Sequence, residues 1–278
     1  MGAKTGIAWC DSTQNFWWGC AKLPDRRACD ACYAHAFAKR VGKNVFGHGV
    51  QRRIASPKVW SDPLVWNRQA ADSGVRPRVF CMSMGDFLED RPELVEPRKR
   101  ACSIIEETTN LEWLILTKRI ENAHLLPWKP GEFPDHVRVG ITVEDQGAAD
   151  RDVVKLLALR CKTMVSVEPM LGAIDFRRHL RPTLISNSGE RLQHPDPRVP
   201  STGGTWEWPV GWVICGCESA PGKRLGRPLE LDWVRSLRDQ CAEAGVPFLY
   251  KQGPVDGRLV ELPELDGRVW AEVPEVCE

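Results

Sequence analysis

No apolar run in this sequence reaches the roughly 20 residues needed to cross a bilayer. The polar start MGAKTG has no signal-peptide pattern, and Gly6 stands where a myristoylation motif needs Ser or Thr. These absences point to a cytoplasmic protein with no membrane partner. Internal repeats and low-complexity tracts are also missing, which excludes solenoids and compositionally disordered chains. Nor does one sign of charge dominate. The 38 Lys and Arg nearly balance the 37 Asp and Glu, and a net +1 is too little to hold nucleic acid through bulk charge. Tyrosine is scarce, two against twelve Trp. Core packing accounts for most of the tryptophans, with Trp17 and Trp18 the best candidates for base stacking. What remains is an ordinary globular composition, 42% hydrophobic and 27% charged over 278 residues, enough for one sizeable core and a single domain spanning 1–278.

The eleven cysteines are the informative surplus. An odd number without an export signal fits reduced thiols and a metal better than a disulfide scaffold. Three of them, Cys20, Cys29 and Cys32, fall in WWGCAKLPDRRACDACY (17–33), a Cys-x8-Cys-x2-Cys set followed directly by Tyr33. A fourth clustered cysteine is absent. Three thiolates can hold three irons of a [4Fe–4S] cluster and leave the fourth iron open for reaction, whereas fully ligated clusters carry electrons. The competing reading is a non-catalytic zinc-binding nucleic-acid module, with a fourth ligand such as His35 completing a tetrahedral site. His35 otherwise reads as an ordinary helix-surface residue. Around this loop, from Ala21 to Trp60, nine Lys and Arg face two Asp, while from Val255 onward seven carboxylates face two Arg. That asymmetry reads either as a polyanion-binding face or as a solvated helix and an acidic C-terminal extension over 255–278.

Tyr33 to Val41 reads as a short helix ending at Gly42, and Ser61-Asp62-Pro63 as the cap and first turn of a second helix over 62–72 that stops at Gly74. Then a rhythm begins. Apolar runs recur at Val79–Met84, Trp113–Thr117, Val137–Val143, Met164–Val167, Trp212–Cys215 and Pro247–Tyr250, with amphipathic patterns at Glu93–Thr108, Ala148–Leu159 and Leu231–Ala244 between them. Continuous apolar strands alternating with helices predict an α/β fold with a parallel sheet. With a strand ahead of the cysteine loop, six or more βα units form a full or partial (β/α) barrel, with a doubly wound sheet as the rival. Residues 181–209, rich in Pro, Gly and Ser, interrupt the rhythm as a loop insertion, either passive or a lid.

Catalytic groups in such folds cluster at strand C-termini. The runs end in Ser83-Met84-Gly85-Asp86, Thr117-Lys118-Arg119, Glu144-Asp145, Glu168-Pro169, Gly216-Cys217-Glu218-Ser219 and Lys251-Gln252. Helix capping accounts for Asp86 and Asp145. Glu168 and Glu218 do not fit that role. Cys81, Cys215, Cys102 and Cys241 read as small buried hydrophobes.

The cysteine motif, together with SMGDF (83–87), ILTKR (115–119), VGITVED (139–145), VSVEPMLG (165–172), VICGCES (213–219) and GVPFLYKQ (245–252), resembles a phage-associated branch of the radical S-adenosylmethionine (SAM) superfamily along nearly the whole chain. Two departures stand out. The spacing is x8, x2 where most such enzymes have x3, x2, and Cys217 occupies the place of a second glycine in a Gly-Gly-Glu-Ser turn. The resemblance implies a radical-SAM-like barrel in which Cys20, Cys29 and Cys32 bind a [4Fe–4S] cluster. SAM would chelate its open iron and be cleaved by one electron to a 5′-deoxyadenosyl radical that abstracts hydrogen. It further implies SAM-binding roles for Ser83, Met84 and Asp86 (amino group), Lys118, Glu144 and Glu168 (amino group or ribose), and Tyr33 (adenine). Glu218, Lys251 and Cys217 would face substrate. The implied partners are SAM, an electron donor such as flavodoxin or ferredoxin, and, given the basic stretch and phage setting, DNA or a modified nucleobase. The location would be the host cytoplasm for a phage-encoded chain.

Overall fold

In the computed structural model the described residues are 5–181, 183–186, 191–193, 204–207, 209–220 and 224–275. The apolar runs form the strands of one sheet: β1 (Ser12–Gln14), β2 (Arg78–Cys81), β3 (Glu112–Thr117), β4 (Val137–Thr142), β5 (Lys162–Val167), β6 (Val213–Gly216) and β7 (Phe248–Val255), all parallel, then β8 (Arg258–Glu261), antiparallel to β7. Their order in space is their order in sequence. A doubly wound sheet reverses direction at a switch point, and this one never does. Every crossover therefore advances the same way and curls the sheet into a partial barrel. It stays half-open because β1 and β8 are its two edges.

Alternation along the strands separates two apolar surfaces. Val79, Ile115, Val139, Val165, Val213 and Phe248 face the helices in the larger cluster. Phe80, Leu114, Met164, Ile214 and Leu249 face the other way and, with Trp9 and Trp212, fill the barrel interior. Gly140 makes this filling possible, since a Cβ there would sit 2.6 Å from Met164 Cγ. The floor is thus apolar and closed, and the open end is the one where the strands terminate.

The helices are α1 (Tyr33–Arg40), α2 (Pro57–Ser73), α3 (Val95–Glu107), α4 (Gln146–Leu157) and α5 (Leu231–Ala244). The connection after β3 is a 3-10 stretch (Ile120–Leu125), and that after β5 carries a small antiparallel sheet of Thr183–Ser186, Arg191–Gln193 and Gly204–Glu207. The remainder of the 181–209 segment, and with it any lid role, lies outside the described residues. The start of α2 differs from the sequence expectation. The helix begins at Pro57 after Ser56 and carries Pro63 inside it. Proline removes the hydrogen bond to the carbonyl four residues back. That carbonyl, Val59 O, accepts instead from Gln14 Nε2 at 2.8 Å. The acidic stretch returns to the sheet: β8 pairs with β7, and Tyr250 N donates to Trp270 O at 2.8 Å. Among the described residues no helix is long and apolar enough to cross a membrane.

Candidate functional site

The cysteine loop crosses the strand ends and is bolted there. It enters through Gly19, whose φ of +103° suits glycine and whose added Cβ would lie 1.9 Å from Val45 O. Gly19 N donates to Met84 O at 2.8 Å. Next to Cys20, Ala21 N donates to Glu89 Oε1 (2.7 Å), and Arg52 holds Glu89 through Nε and Nη2 at 2.7 and 2.8 Å. Arg119 Nη2 donates to Ala21 O at 2.6 Å while its Nη1 donates to Asp86 Oδ2 at 3.1 Å.

Asp86 is no helix cap. Its oxygens also accept from Leu88 N, Thr117 Oγ1 and Lys118 N at 3.0, 2.6 and 3.0 Å, which ties the β2 and β3 ends together. Asp145, by contrast, does cap α4, accepting from Ala148 N.

Between Cys20 and Cys29, Arg26 points into the barrel mouth and is 2% exposed. Its guanidinium donates to Asp152 on α4 and to Lys118 O (3.1 Å) and Thr142 O (3.5 Å) at two strand ends, and it lies 3.6 Å from Glu144 Oε2. A short 3-10 turn (Arg27–Cys29) carries the second thiol, and Cys32 leads into α1.

One cavity of about 330 Å³ collects most of these parts, within the roughly 300–1,000 Å³ typical of small-molecule sites. Of the residues expected from sequence, Cys20, Cys29, Cys32, Tyr33, Ser83, Asp86, Lys118, Glu168, Glu218 and Lys251 line it. All three cysteines are free thiols. Burial, with Asp86 nearby, pushes the Cys20 thiol up to about 12, so it is protonated at neutral pH. Among the described residues no three His, Cys, Asp or Glu side chains converge closely enough for one metal ion. A mononuclear zinc site therefore has no ligand set here, and His35 instead stacks on Phe46 with centroids 5.1 Å apart. A cluster is larger than an ion, and thiolates that bind separate irons stand farther apart than ligands sharing one.

Tyr33 is 52% exposed, yet its hydroxyl is held by donation to Ser83 O at 2.6 Å, and burial of that hydroxyl pushes the phenol up. Glu168 Oε1 accepts from Lys251 Nζ (2.5 Å) and Gln252 Nε2 (3.1 Å), and its other oxygen has no hydrogen bond among the described residues. Glu218 is chelated by Arg227 through Nε, Nη2 and the backbone N, at 3.0, 2.5 and 3.1 Å. Burial raises that carboxyl, but the Arg227 bonds outweigh it and hold the group below its ordinary range. Arg227 also donates to Arg27 O at 2.9 Å and lies 3.6 Å from Asp30, so the pair braces the cysteine loop from the β6 side.

Three of the expected residues do not line the cavity. Met84 packs with Ala34, Ala38, Val45 and Phe46. Glu144 is buried against Arg26, its Oε2 without a hydrogen bond. Cys217 sits in the helix-facing core, where burial pushes its thiol up to about 11; its backbone meets the site at Gln252, the carbonyl accepting from Nε2 at 2.7 Å and the N–H donating to Gln252 O at 3.1 Å. Conversely, Thr142 and Ser166 line the cavity without having been expected, and Gln252, named only as a strand-end residue, lines it too. Thr142 and Ser166 are register partners at the ends of β4 and β5, findable by carrying the strand alternation one step further.

A half-open barrel of sequentially ordered parallel strands, with its polar cavity at the strand ends, has the topology of the radical-SAM-like α/β class. Within that class the chain belongs to the family described as "Protein of unknown function (DUF5131)", whose model matches residues 4–274. No curated protein and no solved structure matches the chain.

Proposed function

We propose that the protein is a radical SAM enzyme in which Cys20, Cys29 and Cys32 hold a [4Fe–4S] cluster and the strand-end cavity receives SAM and substrate. One observation carries this reading: three free thiols and the strand-end polar groups line a single cavity over an apolar barrel floor. The donor set suits the group by its chemistry, three free thiols lining one cavity. Bound there, cluster and SAM supply one-electron reductive cleavage and a carbon radical able to take hydrogen from a substrate.

The chain's own side chains orient and shield. Tyr33 offers an aromatic face fixed by its hydroxyl bond to Ser83 O. The unbonded oxygen of Glu168 accepts from an ammonium or a ribose hydroxyl, with Lys251 keeping the carboxylate charged and aimed. Lys118, which makes no ion pair among the described residues, is a cation for a carboxylate, and Thr142 and Ser166 supply hydroxyls. Trp9, Phe80 and Met164 beneath them keep water from entering through the floor. Glu218, neutralised by Arg227, supports the loop more directly than it offers an acid or base. The substrate class proposed is the one the resemblance implies, a nucleobase, free or in DNA.

Anaerobic reconstitution tests the reading. About four irons and four sulfides per chain are expected, with an EPR signal in the reduced protein that shifts on adding SAM and vanishes in the Cys20/Cys29/Cys32→Ala variant. Stoichiometric zinc without sulfide, or a signal indifferent to SAM, overturns it.

A further inference from the structure

A second cavity, of about 250 Å³, has no lining residue in common with the strand-end site. It lies between β1, one edge of the sheet, and the first turns of α2. One wall is Gln14, whose Nε2 holds the Val59 carbonyl that Pro63 releases. Because no strand lies beyond β1, alternate backbone N–H and C=O groups of that strand face outward without a sheet partner.

The side chains divide by chemistry. Trp18, Ile54 and Val59 form an apolar wall, and none of the three is fully buried. Asp62 is half-buried, yet its carboxylate makes no ion pair or hydrogen bond among the described residues. Arg53 is exposed and likewise makes neither. Each is anchored on its own element, Arg53 opposite Trp18 in a two-stranded pair and Asp62 on α2, and the cavity lies between them. A partly buried carboxylate without a partner is costly, and a bound cation offsets that cost. The guanidinium asks for an anion in the same way. The space falls below the roughly 300–1,000 Å³ of drug-sized ligands, so the occupant is small. A small molecule with both charges and an apolar part satisfies all of these walls at once.

We propose that this cavity binds a free α-amino acid with an apolar side chain. Its ammonium meets Asp62 and the outward carbonyls of β1, its carboxylate meets Arg53, and its side chain lies along Trp18, Ile54 and Val59. The inference does not depend on the radical SAM reading. The two cavities are nonetheless close neighbours. Asn15 lines the second one, accepts from Met84 N at 2.7 Å and donates to Ser83 Oγ at 3.0 Å, and Ser83 lines the first. An occupant therefore rests on the segment that carries one wall of the strand-end site.

The experiment measures thermal melting of the full chain, Asp62→Asn and Arg53→Gln with leucine, isoleucine, valine, methionine or phenylalanine at millimolar concentration. Neither replaced side chain bonds to the described residues, so unliganded midpoints near wild type are expected and certify the fold. At least one amino acid is expected to raise the wild-type midpoint. Calorimetry with the best binder should then show about tenfold or greater loss of affinity in each variant. The amine and the acid that each lack one of its charges, isoamylamine and isocaproate for leucine, should bind more weakly than the amino acid. Asp62→Asn should leave the acid's affinity unchanged, and Arg53→Gln the amine's. No midpoint shift with any of the five overturns the proposal. So does a shift undiminished in both variants, which places the binding elsewhere, the strand-end site included. An amine that binds as tightly as its amino acid also overturns it, reducing the site to a cation receptor.

Discussion

Arg26 shows what a residue does that its sequence neighbourhood conceals. Set in LPDRRACDAC (23–32), it reads as one of several surface charges, yet its partners lie 92, 116 and 126 positions away. Nothing local signals such contacts. That the thiols, Glu168 and Lys251 come to one cavity was legible because a cysteine spacing and the end of an apolar run are local patterns. The roles of Asp86 and Glu218 were not, since each is decided by an arginine brought in by the fold. Arg26→Ala leaves Asp152 and Glu144 buried without their main counter-charge, although Arg151 and Lys155 still reach Asp152 from the surface. The expected loss of stability is about 3 kcal/mol, read from the urea midpoint. A change within a few tenths of wild type would mean that the loop is held by its other bolts.

At the scale of elements, strands and helices were read well because their periods are physical. Leu231–Ala244 was expected with those bounds, and each apolar run became a strand of the sheet. The start of α2 was missed because Pro63 looks like a helix beginning, while in the fold a side chain from β1 satisfies the carbonyl that proline abandons. The Glu218–Arg227 pair is a brace on the cysteine loop, and its strength depends on pH. The Glu218 carboxyl is held below its ordinary value of 4.5, so the brace is fully present above that value and is lost as pH falls through the lowered one. Amide exchange across residues 27–32, corrected for intrinsic rates, is expected to accelerate over that acid range. In Arg227→Ala it should already be fast at neutral pH, with the acid step much reduced. An acid step of undiminished size in the variant would place the sensitivity elsewhere.

For the molecule as a whole, the barrel was legible and its openness was not. The repeated βα rhythm specifies neighbours, but whether the first and last strands meet depends on curvature that no single segment encodes. The polar cavity at the strand ends follows from that topology and the apolar floor from strand alternation, so both were within reach of the sequence.

The matching of spatial order to chain order also sets a calendar for the protein's birth. Each strand leaving the ribosome finds its partner already made, yet the cysteine loop emerges soon after β1, and Arg26 must wait for residues 118, 142 and 152. The thiols made among the first are sealed only after half the chain exists. Stalled nascent chains ending before Asp152 are expected to alkylate at Cys20, Cys29 and Cys32 far faster than chains extending past β7, as mass spectrometry of the labelled peptides can show. Equal labelling would mean that the loop is shielded before its anchors arrive. On the proposed reading, that interval is when the thiols are open to loading, so what the loop comes to hold is settled during synthesis as much as in the finished fold.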